Sequence, residues 1–239
     1  MQWYSGPEGD QRIWYEADEI EQMAVEQLRK AELLPSLTDP VADLELLVEG
    51  YLRCDLDLYA DLPSDVLGLT IFDPKRKPRV QINSELTCAR DEEGAGTAAI
   101  GRWRATIAHE ASHVYLHRYL YEPEFARLAG AAQPLTEAGA RVECLHRDIS
   151  PEPVDAVLTR RRSDWREVQA NRGMAALLMP RRLFNRVALR EMGRLGLGTA
   201  VAVDSAEHQT LTSVLASTFE VSLQAAGIRL KTASFVTAA

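Results

Sequence analysis

Apolar residues recur at intervals of three and four positions along much of the chain, which is the spacing of one face of an α-helix. This period predicts helices over residues 15–34, 40–52, 102–121 and 164–179, and in the chain after residue 181. The second helix is expected to begin after Asp39, which precedes Pro40 as an N-cap residue would. The fourth has Ser163 or Asp164 as its cap and Pro180 as its stop.

A different pattern follows Pro63. The segments "LGLTIF" and "RVQINS" are short and contain β-branched residues, and Pro74 and the charged "KRK" separate them. This arrangement predicts a β-hairpin. The segment "RDEEGAGTAAIG" supplies the glycine and charge of an exposed loop before the helix predicted from residue 102. From about residue 124 to 148 the pattern is amphipathic but less regular.

Composition narrows the class of protein. The 239 residues are enough to bury a substantial core, and the formal net charge of -8 argues against a protein that wraps a polyanion. The three cysteines form no CxxC pair, which favours a reducing compartment over a disulfide framework. The sequence has neither a signal-peptide pattern nor an apolar run of about 18 residues. We therefore expect a cytoplasmic protein that uses no membrane and contacts no nucleic acid directly.

The segment "ATIAHEASHVYLH" holds three of the five histidines. His109 and His113 are one helical turn apart, so their Cβ atoms lie about 5 to 6 Å apart on one face. Two imidazoles at that separation can bind one Zn²⁺, and Glu110 lies where its carboxylate can take a proton from bound water. This HExxH pattern is short enough to arise by chance. An apolar stripe on the same predicted helix supports it by marking a buried side: Trp103, Ile107, Ala111 and Val114.

A catalytic zinc site needs a third protein ligand and an open position for water. The metzincin pattern has a histidine six residues after His113, where this chain has Tyr119, so that class is excluded. His117 is one further turn along the same face. Its rise of roughly 6 Å from His113 favours a place beside the site over a role as ligand.

The other candidate ligand is Glu167, early in the helix predicted over residues 164–179. Asn171 follows it by one turn on the same face. A carboxylate ligand would thus stand near an amide that can bond the ring N–H of a ligating histidine. Cys144 and His146 are also potential ligands, but without partners they are more simply explained as ordinary residues.

The motifs "HEASHVYLH" and "DWREVQANRGMAALLMP" together resemble the ImmA/IrrE family of zinc metallopeptidases. Members of that family carry HExxH with a further histidine four residues on, then a helix of the form E-x-x-A-N followed by L-L-M-P. The resemblance covers about residues 68–230. It implies a thermolysin-like site in which three residues bind zinc: His109, His113 and Glu167. Glu110 would be the general base, and Asn171 would be the hydrogen-bond partner of a zinc-binding histidine. Gly173 departs from the family pattern; a glycine within a helix costs about 1 kcal/mol and indicates close packing or a bend.

The resemblance also implies a substrate, because characterised members cut helix-turn-helix transcriptional repressors in the control of mobile elements or of stress responses. The expected partner is therefore a DNA-binding repressor, and an acidic protease would suit a basic substrate. The segment "RVQINS" is expected to be the sheet edge that holds the substrate as an added strand. Four candidates remain open for the donor that stabilises the oxyanion: Tyr115, Tyr119, Tyr121 and His117.

Two other functions compete with proteolysis. The segment "LASTFEVSLQAAGIRL" has the spacing of a helix-turn-helix, which would suit a DNA-binding regulator. Only Arg194, Arg229 and Lys231 are basic after Met192, however, which is few for phosphate contacts. The other alternative keeps the zinc but drops catalysis, leaving a metal-stabilised regulatory or interaction protein.

These patterns predict an α+β fold. We expect a zincin-like core of two metal-bearing helices packed on a small mixed or antiparallel sheet, flanked by additional helices. The expected regions are an N-terminal helical region over residues 1–66, a metallopeptidase core over 67–185 and a C-terminal helical, helix-turn-helix-like region over 186–239.

Overall fold

The structure is a computed structural model and describes residues 2–5, 11–73, 75–122, 124–125, 140–145 and 165–237. Its fold is mixed α+β, as the sequence predicts. The helices are α1 (Ala17–Lys30), α2 (Leu44–Leu46, continued by the π-helical turn Leu47–Tyr51), α3 (Ser84–Asp91), α4 (Thr97–His117, continued by the 3₁₀ turn Arg118–Leu120), α5 (Trp165–Leu178), α6 (Arg181–Arg194), α7 (Ala206–Phe219) and α8 (Leu223–Thr232). The strands are β1 (Gln2–Ser5), β2 (Gln11–Trp14), β3 (Asp55–Ala60), β4 (Val66–Phe72), β5 (Arg79–Asn83), β6 (Ala140–Leu145), β7 (Val201–Ala202) and β8 (Val236–Thr237).

The largest sheet has the strand order β3-β5-β4-β6. The predicted hairpin is confirmed, because β4 and β5 pair antiparallel with Leu69 opposite Gln81. The expectation that "RVQINS" forms the edge of the sheet is wrong. Strand β3 pairs with the other side of β5 in parallel, with Leu56 opposite Val80, so β5 is an inner strand. Strand β6 pairs antiparallel with β4. Smaller sheets join β1 to β2 and β7 to β8.

Local caps explain where two of the helices begin. The cap of α2 is Asp43, whose carboxylate accepts a hydrogen bond from the main-chain N–H of Leu46. The prediction of Asp39 as this cap is wrong, because the carbonyl of Asp39 instead accepts the N–H of Ser36 and closes a turn. Helix α3 occupies residues that the sequence left between a strand and a loop. Asn83 caps it by accepting the N–H of Glu85.

Helix α4 begins earlier than its pattern predicts. It starts at Thr97, so part of the expected glycine-rich loop forms its first turn, and it ends at His117, four residues before the expected end at residue 121. Gly101 lies where this early part touches the turn between α7 and α8. A Cβ atom at Gly101 would lie 2.9 Å from the main-chain nitrogen of Ser222, so only glycine permits this approach.

Helix α4 packs against β4 on one side and against α5 on the other. The predicted apolar stripe is confirmed, since all four of its residues are buried: Trp103, Ile107, Ala111 and Val114. One apolar cluster contains these side chains and extends from Ala24 in α1 to Phe235 beside β8. The polar residues of the HExxH motif are therefore held inside the protein on a helix that is fixed from both sides.

The predicted division into three regions stays a prediction. Strand β3 ends before residue 66 and yet belongs to the same sheet as β4 and β5, which the sequence assigned to the next region. No helix in the described part of the chain is both long enough and apolar enough to cross a membrane.

Candidate metal centre

Two histidines of α4 point towards one another at the centre of the site. The Nε2 atoms of His109 and His113 lie 3.0 Å apart, as the single-turn spacing of the HExxH motif predicts. Both side chains are fully buried. Helix α4 packs between the sheet and α5, which keeps water away from both imidazoles.

Glu167, in the first turn of α5, brings its carboxylate to the same point. Its Oε2 atom lies 3.0 Å from Nε2 of His109, and its Oε1 atom lies 3.3 Å from Nε2 of His113. Its side chain keeps 19% of its surface exposed, whereas those of the two histidines are at 0%. The only exposed surface of this cluster is therefore on the side of Glu167.

These three side chains suit a zinc ion. One ligand atom from each lies within 4.8 Å of the others, which makes them a group that could hold a metal. Four-coordinate zinc at 2.0 to 2.2 Å from its ligands would separate the ligand atoms by about 3.3 to 3.6 Å. The observed separations of 3.0 to 3.3 Å require only small outward shifts. Two imidazoles and one carboxylate are also the donor set of many catalytic zinc sites.

The environment favours the metal-binding protonation states. Burial lowers the pKa of His113, and the attraction of Glu167 offsets this only in part, so the imidazole is held neutral. Burial raises the pKa of Glu167, but attraction to a proton on His113 or His109 outweighs that effect and brings its pKa well below the usual range, so any proton at this point lies on a ring and not on the carboxylate. A neutral imidazole and an ionised carboxylate are the forms that bind a metal, so few protons compete with it.

Asn171 lies behind His109, where the sequence predicted it. Its Oδ1 atom is 3.2 Å from Nδ1 of His109. With the amide oxygen in that position, Nδ1–H of His109 is the donor, and the lone pair of Nε2 is left facing Glu167 and His113. An outer hydrogen bond of this kind fixes both the tautomer and the ring orientation of a metal-binding histidine.

His117 does not belong to the group of residues whose ligand atoms cluster at this point. Its Nδ1 atom lies 3.0 Å from Nδ1 of His113, on the side of that ring turned away from Glu167. Its Nε2 atom lies 3.1 Å from the amide oxygen of Gln169. Burial and the adjacent His113 lower the pKa of His117 well below its ordinary value, which keeps it neutral. His117 therefore lies behind His113, as Asn171 lies behind His109.

Glu110 is fully buried and faces the sheet. Its Oε2 atom accepts a hydrogen bond from the hydroxyl of Thr70 in β4. Gly68 of the same strand leaves the space for this carboxylate, because a Cβ atom there would lie 2.8 Å from Oε1 of Glu110. Strand β4 thus fixes the side chain that the sequence predicts as general base.

Gly173 explains how α4 and α5 approach closely enough to share ligands. A Cβ atom at Gly173 would lie 2.6 Å from the hydroxyl oxygen of Ser112 and 2.5 Å from that of Tyr115. The sequence offers close packing or a bend as the reason for a glycine at this position, and these distances support close packing.

The tyrosines proposed as oxyanion donors have other contacts. The hydroxyl of Tyr119 accepts the main-chain N–H of Ile13, and the hydroxyl of Tyr121 accepts a bond from Arg166. Tyr115 lies against Gly173 at the helix interface. His117, the fourth candidate, has a close partner at each ring nitrogen. These contacts give each of the four a structural role.

Three residues at the site were not found from the sequence: Gly68, Thr70 and Gln169. A strand glycine can mark close backbone approach, so Gly68 carried a weak signal. Thr70 and Gln169 carried none, since their partners lie 40 and 52 residues away along the chain. His146 and the predicted caps Ser163 and Asp164 lie outside the described residues, and for Cys144 only the main chain of β6 is described.

Comparisons of the chain with models of protein families, with curated proteins and with solved structures found no match. The candidate metal centre therefore rests on its own residues and their geometry.

Proposed function

We propose that this protein is a zinc-dependent endopeptidase of the kind that its resemblance to the ImmA/IrrE family implies. The observation that carries the proposal is the convergence of His109, His113 and Glu167 on one point, with Glu110 next to His109 on the same helix. The core would then be zincin-like, with the two metal-bearing helices α4 and α5 packed beside a small sheet.

Bound zinc would lower the pKa of its water ligand towards 7 and polarise the carbonyl of the peptide bond to be cut. The residues of the chain account for the remaining steps. Glu110 takes the proton of the attacking water and returns it to the leaving amine. Thr70 and Gly68 hold its carboxylate in one orientation. Asn171 and His117 orient the two histidine ligands.

The proposed substrate is a helix-turn-helix repressor, an assignment that rests on the family resemblance. The net charge of -8 is compatible with a basic partner. Because β5 is an inner strand, an added substrate strand would have to pair with an outer strand of the described sheet, β3 or β6. We choose β6, because it lies next to β4, the strand that carries Gly68 and Thr70 at the site.

A substitution of the general base tests the proposal. The Glu110→Gln variant should bind zinc as the wild type does and should fail to cut a co-incubated repressor encoded beside this protein. A variant that still cuts the repressor would exclude the mechanism. Zinc binding with no cleavage by the wild type would instead favour a metal-stabilised regulatory protein.

A further inference from the structure

A chain of hydrogen bonds runs from the back of the metal centre to the N-terminal strand β2. It begins at Nδ1 of His113, which is 3.0 Å from Nδ1 of His117. Nε2 of His117 is 3.1 Å from Oε1 of Gln169. The amide nitrogen of Gln169 then donates to the main-chain carbonyl of Ile13 over 3.0 Å. Four residues from three separate elements are thus joined in series.

The carbonyl of Ile13 sets the direction of every bond in this chain. A carbonyl oxygen only accepts, so the amide nitrogen of Gln169 must face Ile13 and its amide oxygen must face His117. That oxygen also only accepts, so Nε2 of His117 must carry the proton. Nδ1 of neutral His117 then has a lone pair and accepts from Nδ1–H of His113. The remaining nitrogen of His113, Nε2, is left with its lone pair aimed at His109 and Glu167.

Burial keeps water from competing for these hydrogen bonds. His113, His117, Gln169 and Ile13 are all at 0% exposure. The ring of Trp165 also covers His117, with ring centroids 5.4 Å apart and planes at 86°. The main chain of Ile13 is held at both polar groups, because its N–H donates to the hydroxyl of Tyr119. The last acceptor of the chain of hydrogen bonds is therefore on a main chain that is itself hydrogen-bonded to Tyr119.

We propose that Gln169 is a positioning residue of the metal centre, which acts through His117 to hold His113 in the tautomer that binds metal through Nε2. The proposal rests on the proposed function only in taking zinc as the metal. It makes β2 part of the metal centre, since the main chain of that strand determines which way the amide of Gln169 faces.

The tautomer of His117 is measurable without any substitution. In the metal-free protein labelled with ¹⁵N-histidine, two-bond ¹⁵N–¹H correlations distinguish a protonated from a bare ring nitrogen. We expect Nε2 of His117 to be protonated and its Nδ1 to be bare. The opposite tautomer would overturn the proposal, whether or not zinc binds.

The affinity for zinc tests the consequence. The Gln169→Met variant keeps the length of the side chain but removes both hydrogen bonds, and it should bind Zn²⁺ about 10- to 100-fold more weakly in competition with a chromophoric chelator. The matched control is Gln209→Met, on the exposed surface of α7, which should bind zinc as the wild type does. Circular dichroism verifies that both variants fold.

The outcomes separate this proposal from the function proposed above. Wild-type affinity in Gln169→Met, or an equal loss in Gln209→Met, would overturn the positioning role. If the wild type itself binds no zinc, the proposed function fails, and the tautomer of His117 still decides the role of Gln169. If Gln169→Met does not fold, the wild-type tautomer remains the deciding measurement.

Discussion

The hydroxyl of Thr70 in β4 donates a hydrogen bond to the carboxylate of Glu110 in α4, and both side chains are fully buried. The sheet therefore has a direct role at the site, because it holds the residue that the HExxH motif assigns to proton transfer. Loss of a buried hydrogen bond is costly because it leaves a buried oxygen without its donor.

Thr70→Val should for this reason lower the free energy of unfolding by about 1 to 3 kcal/mol, as measured by urea denaturation. Thr210→Val is the matched control. Thr210 donates to a carbonyl one turn away on the exposed side of α7, so its replacement should change stability by less than about 0.5 kcal/mol. Equal effects of the two substitutions would show that the hydroxyl of Thr70 does not support Glu110.

Gly173 provides a second test, of the close approach of α4 and α5. Gly173→Ala should destabilise the protein by about 1 to 3 kcal/mol although alanine is the better helix former, because its Cβ atom would overlap Ser112 and Tyr115. Gly193→Ala, where a Cβ atom would meet nothing within 4 Å, should instead stabilise α6 by up to about 1 kcal/mol. Thermal or urea unfolding of both variants checks this difference in sign. Stabilisation by both would contradict the packing described for the metal centre.

The spacing of residues along the chain predicts the part of the site that lies on a single helix. His109 and His113 share a face of α4 as their four-residue separation requires, and Glu110 follows from the same motif. Glu167 lies 54 positions after His113. Its place beside the histidines was indicated by the second motif and by Asn171, and not by the period of its helix.

Other features depend on contacts that no local pattern encodes. Gln169 reaches His117 from α5, and its direction is set by Ile13, 156 residues away. The strand β3 did carry a local signal, since "DLDLYA" alternates polar and apolar residues as a half-buried strand does. That strand was missed, and with it the fact that β5 is an inner strand.

The cysteines test the fold away from the metal centre. Cys54 is buried in the core just before β3, and burial raises its pKa to about 12, whereas Cys88 is exposed. The thiolate is the reactive form, so in a Cys144→Ser background Cys88 should react with a thiol reagent at pH 8 more than about 100-fold faster than Cys54. The rate at Cys54 should rise as the pH is raised, because the thiolate fraction increases. Mass spectrometry of the labelled sites measures both rates, and comparable rates in the native protein would contradict the burial of Cys54.

We expect His109, His113 and Glu167 to bind one zinc ion together. Metal analysis of the purified wild type, combined with X-ray absorption at the zinc edge, tests it most directly. We expect one zinc per chain with two imidazole nitrogens and carboxylate oxygen at about 2.0 to 2.2 Å. Glu167→Ala should lose most of this zinc, while the control Glu207→Ala, at an exposed position in α7, should keep it. A wild type without zinc, or a Glu167→Ala variant that keeps a full equivalent in the same coordination, would show that these three residues do not form a zinc site.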